Sequence, residues 1–119
     1  MRKITASVAL VAAGLGCAGS AQAGEPTQYG YMAIARADYA RAEAQLLARK
    51  AAEPQEPSVL INLAHVYQKT DRALAAASMY QQVLDLPDVM LAMPDGSPAS
   101  SHALAERGLA TLRQTAQRR

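Results

Sequence analysis

The sequence predicts an all-α fold, a short solenoid of about two helical hairpins with a C-terminal capping helix. Three observations carry this expectation. The chain is rich in alanine and leucine and poor in β-branched residues, which favours helix over strand. Apolar residues recur at helical spacing through its middle. A spacing of 34 residues aligns the chain with itself. Its 119 residues suffice for one small domain. Trp and Phe are absent, and the aromatics are Tyr29, Tyr31, Tyr39, Tyr67 and Tyr80. A core of Ala and Leu buries little area per residue, so modest stability is expected.

The first element is an address. Residues 1–23 read as a secretory signal peptide. Arg2 and Lys3 give the positive start, Ile4 to Ala18 is mostly apolar, and Ala21-Gln22-Ala23 supplies a small-x-small cleavage pattern. The apolar run falls short of the roughly 20 residues of a membrane-spanning helix. The mature chain is thus expected in the periplasm or outside the cell, without membrane insertion. Cys17 offers a minor alternative, lipidation after Leu15-Gly16, although Gly14 sits where the bulky residue of that motif belongs. With the leader removed, no Cys remains, so an oxidising compartment would bring no disulfide.

Charge narrows the partners. The net charge is +2, and Arg2 and Lys3 account for it; the rest carries ten basic and ten acidic residues. A neutral chain without a clustered basic face is not expected to bind nucleic acid.

The repeat organises residues 24–88. At the 34-residue offset Ala42 meets Ala76, Leu46 meets Tyr80, Gly30 meets Ala64 and Tyr29 meets Leu63. Residues 57–88 form the clearer unit. Pro57 suits the first helical turn, where its missing N–H costs nothing. Leu60, Leu63, Ala64 and Tyr67 follow at helical spacing, Asp71 is the expected cap of the next helix, and Ala73, Ala76, Ala77, Tyr80, Val83 and Leu84 continue the apolar face to Pro87. Residues 24–56 form the fainter unit, with a short first helix around Thr27 to Arg36 and a second through Asp38-Tyr39-Ala40-Arg41-Ala42-Glu43 and Leu46.

Leu63-Ala64, Tyr67, Ala76, Tyr80 and Val83 resemble the signature of the tetratricopeptide repeat (TPR) family. Val83 replaces the usual alanine, and the proline comes one place early. The resemblance covers about two thirds of the mature chain, and is weaker before residue 57. It implies stacked helical hairpins whose first helices line a concave, peptide-binding groove. On that helix Asn62, His65 and Lys69 share the face turned from Leu60, Leu63 and Tyr67. Asn62 matches an asparagine that holds a peptide's terminal carboxylate in some relatives. The lysine and second asparagine of that clamp are replaced by Thr27 and Tyr31, so the clamp is incomplete. The face is either a partner-binding surface or a solvated one. Tyr39, Tyr67 and Tyr80 read as packing residues, and Tyr31 as either packing or a binding anchor.

The remainder is less regular. Residues 89–98, with Val89 to Met93 apolar and then Pro94-Asp95-Gly96, read as an irregular loop with room for one short extended piece. Residues 99–119 read as a terminal helix capped by Ser100 or Ser101, holding Leu104, Leu109 and Leu112 against the last repeat. No catalytic constellation, phosphate loop or metal-ligand spacing stands out, and no cofactor is expected. His65 with His102 is the one metal pair worth naming, and two ordinary histidines is the plainer reading. The expected function is therefore an exported adaptor or scaffold that binds a protein or peptide. The alternatives are a self-associating homodimer and, more remotely, a lipidated envelope subunit.

Overall fold

The computed structural model describes residues 30–118, and they are mostly helical. Five helices run in chain order: α1 (Tyr31–Ala35), α2 (Tyr39–Ala52), α3 (Pro57–Lys69), α4 (Ala73–Leu84) and α5 (Ser101–Gln117). Two three-residue strands, β1 (Met90–Ala92) and β2 (Pro98–Ser100), pair antiparallel between α4 and α5. The expected leader, Cys17, Thr27, Tyr29 and Arg119 lie outside the described residues.

Each helix starts for a local reason. Gly30 precedes α1 at φ 74° and lies against Leu46; a Cβ there would stand 3.0 to 3.3 Å from that side chain. Asp38 caps α2 by accepting from the Arg41 N–H at 3.2 Å. Pro57 occupies the first turn of α3. Ser100 caps α5 by accepting from the Ala103 N–H at 3.1 Å. α3 closes with the Thr70 hydroxyl donating to the Val66 carbonyl at 2.8 Å.

The cap expected of Asp71 is corrected. Arg72 is the residue before α4, and its side chain makes no capping bond. Asp71 stands one place earlier, at φ 60°. An aspartate tolerates this left-handed conformation better than most residues. Ala37 holds φ 59° in the turn between α1 and α2. Ala37 and Asp71 are 34 residues apart, so the offset seen in the sequence is repeated in the backbone of the two turns.

The core has two parts. Ala33, Ala42, Leu46, Val59, Leu63 and Val66 join α1, α2 and α3. Leu60, Ala64, Ala76, Tyr80, Val83 and Ala105 join α3, α4 and α5. Tyr67 and Met79 touch both. The expected apolar positions hold, except that Ala73 is exposed at the start of α4. Arg72 adds a polar tie between α2 and α4. Its guanidinium donates to the Glu43 carboxylate, at 3.1 Å for one of two bonds, and lies 4.7 Å from the Tyr67 ring centre.

Residues 89–98 differ from expectation. They belong to a β-hairpin rather than an irregular loop, with Met90 opposite Ser100 and Ala92 opposite Pro98. The turn is built by Asp95, whose carboxylate accepts from the Ser97 N–H at 2.9 Å, and by Gly96 at φ 88°. Pro98 and Ala99 are weak strand formers, so the second strand had no signal of its own.

Candidate functional site

The structure separates the four residues singled out from the sequence into two places. Tyr31 and Asn62 line one cleft with Ile61 and Leu104, and Leu91 to Pro94 of the hairpin form its roof. This cleft holds about 90 Å³. Lys69 lines a different and larger cleft of about 440 Å³, with Gln68, Asp71, Thr111, Leu112 and Thr115. His65 lies between, one turn from Asn62 and one from Lys69, and lines neither.

The electrostatics follow from that placement. Burial in α3 holds the His65 imidazole below its ordinary value, and the Lys69 ammonium one turn away adds to the effect. Both effects favour the neutral form of the ring over the charged one. Tyr31 is 37% exposed, and Lys69 is exposed at the end of its helix. Under the hairpin, the Ser58 hydroxyl is buried at 4% exposure without a hydrogen-bond partner. A buried polar group in that state normally has a partner, so its isolation marks this cleft.

A second polar cluster gathers at the root of the hairpin. The Asp88 carboxylate accepts from the Ser100 hydroxyl at 2.7 Å, the Ser101 hydroxyl at 3.2 Å and the His102 N–H at 3.1 Å. These bonds, the Ser100 one foremost, hold its carboxyl below the usual range. Ser101 also accepts from the Val89 N–H at 3.0 Å, and its own N–H donates to the Val89 carbonyl at 2.8 Å.

Serine, histidine and aspartate meet here, but not as a nucleophile and base. The His102 Nε2 donates to the Leu86 carbonyl at 2.6 Å, because a carbonyl can only accept. Both hydroxyls donate to Asp88, and neither is bonded to the imidazole. The cluster latches the hairpin to the start of α5 and brings negative charge to a helix N-terminus. Among the described residues, no three His, Cys, Asp or Glu side chains are placed to hold a metal ion. His102 is committed to Leu86, and no shared cluster joins it to His65. No described helix is long and apolar enough to cross a membrane.

Ser58, Ile61, Leu91, Met93 and Leu104 were missed as site residues. Leu104 read as packing against the last repeat, and Ile61 stood outside the periodic apolar positions of its helix. The hairpin residues had a signal: a short apolar run followed by Pro-Asp-Gly-Ser is a hairpin pattern when a partner strand follows. Comparison with protein-family models, with characterised proteins and with solved structures finds no match to this chain.

Proposed function

We propose that this chain is an exported protein–protein interaction module of TPR-like helical hairpins, working in the bacterial cell envelope and without catalytic activity. Its partner is a protein or peptide held on the face of α1, α3 and α5. The observation that carries this reading is the cleft shared by Tyr31, Asn62 and Leu104, one residue from each of those helices. A polar amide, a phenol and aliphatic walls in one recess suit a peptide better than a smooth solvated face would. The matched left-handed turns at Ala37 and Asp71 support two like units. Leu104-Ala105 of α5 echoes Leu63-Ala64 of α3, and both alanines are fully buried, so α5 reads as the first helix of a third, unpaired unit. Export rests on the leader pattern of residues 1–23.

In-cell crosslinking of a C-terminally tagged protein, followed by mass spectrometry, tests this. One dominant envelope partner is expected, and Tyr31→Ala with Asn62→Ala should reduce its capture several-fold in a protein that keeps its helical circular dichroism. Capture unchanged by both substitutions would move the site elsewhere. Capture of this chain alone would replace the adaptor by a self-associating homodimer.

A further inference from the structure

The hairpin lies across the face just assigned to a partner. Leu91 and Met93 are half-buried while Met90 and Ala92 are exposed, the alternation of a strand with one face turned inward. Residues 91–94 wall the cleft opposite Tyr31, Ile61, Asn62 and Leu104. What space remains, about 90 Å³, admits no second strand. The fit is incomplete, because the Ser58 hydroxyl beneath is buried and unpartnered. Two three-residue strands make a weak unit, since an isolated two-stranded hairpin is marginal in water. The root is held firmly by Asp88, and the tip carries exposed Pro94, Asp95 and Gly96.

We propose that the β1–β2 hairpin is a built-in occupant of this face, and that the natural partner is an extended segment with two large aliphatic side chains two residues apart, which takes the place of β1. The proposal rests on the binding-module reading above and names its partner class. The chain itself shows what the face accepts: Leu91 and Met93, spaced by one residue, against an aliphatic and aromatic wall. An incoming backbone could also offer the Ser58 hydroxyl an acceptor. The hairpin then acts as a competitor. A seat free in only a fraction of molecules lowers apparent affinity by that fraction.

The test uses a fluorescent peptide, Val-Met-Leu-Ala-Met-Pro, copied from residues 89–94. The protein should bind it weakly. Leu91→Ser with Met93→Ser should bind it about ten-fold more tightly, as expected if the seat is free in about one molecule in ten. Asp88→Ala, which loosens the root without touching the seat, should shift affinity in the same direction and serves if the double variant does not fold. A peptide with serine at both aliphatic places should not bind. In the unaltered protein, saturating peptide should speed amide exchange at β1 and β2. Equal affinity in all three proteins, no binding by any, equal binding of the serine peptide, or unchanged hairpin exchange would each overturn the proposal. In-cell capture that persists while the peptide fails removes this inference alone. Peptide binding without any captured partner leaves the hairpin competition standing and removes the adaptor.

Discussion

Gly108 lies midway along α5 with the Tyr80 ring where its side chain would stand. A Cβ there would overlap three ring carbons well inside van der Waals contact. Glycine inside a helix costs about 1 kcal/mol relative to alanine, so Gly108→Ala should stabilise an isolated α5. In the folded protein it should instead destabilise by about 1–3 kcal/mol, because the buried Tyr80 ring has no room to retreat. Urea unfolding decides between these signs, and a stabilised variant would mean the α4–α5 contact is looser than described. Glu43 gives a pH-dependent counterpart. Its hydrogen bond from Arg72 lowers its folded carboxyl value. A group so shifted contributes stability above its unfolded value and loses it as pH falls through the folded value. Glu43→Gln should therefore melt earlier than the unaltered protein at neutral pH, and the two melting temperatures should converge as pH drops below the carboxylate range. The effect should be small, since exposed pairs are screened by solvent. A difference independent of pH would assign the loss to packing instead.

The two turns show what was and was not legible at the level of elements. Helix existence, the burial of Ala42, Ala76, Leu46 and Tyr80, and the serine cap of α5 followed from spacing and residue type, because those signals are local. The left-handed residues were not legible. Asp71 looked like a cap since aspartate caps often; it serves the turn instead, because the chain must reverse over the three residues 70–72. Ala37 had no signal, since alanine, unlike Gly, Asn or Asp, is not enriched in the left-handed region. The hairpin was half legible: its turn was written in Pro94-Asp95-Gly96, and its second strand was not. The cleft was hidden because its two walls come from the hairpin and from helices distant in sequence. Ala37 also gives a prediction. A non-glycine residue in the left-handed region costs about 1–2 kcal/mol, and glycine's greater unfolded freedom takes back about 0.5–1. Ala37→Gly should thus stabilise the protein by roughly 0–1.5 kcal/mol, the net of those terms. Thermal melting reads this directly, and a destabilised variant would mean that Ala37 leaves the left-handed region in solution.

Across the whole molecule, stability depends on how two small clusters share one helix. α3 supplies Val59, Leu63 and Val66 to one side and Leu60 and Ala64 to the other, so neither cluster can form without it. The side chains packed against both are Tyr67 and Met79, and the Arg72–Glu43 pair is a polar link between the hairpins. Short helices such as α1 cannot persist alone, so the first hairpin depends on the contact with α3. Where neighbouring units are held mainly by one interface, loosening it lets one end open before the other. Met79→Ala should cost about 2 kcal/mol, the low end for such a truncation, since Met79 is only partly buried. It should also separate the two ends in amide exchange. Amides of α2 should then open at lower free energy than those of α4, and in the unaltered protein the two are expected to lie closer together. A uniform loss at both ends would show that α3 itself, rather than the shared side chains, couples the clusters. The hairpin variants proposed above would then report on the whole helical face and not on the cleft alone.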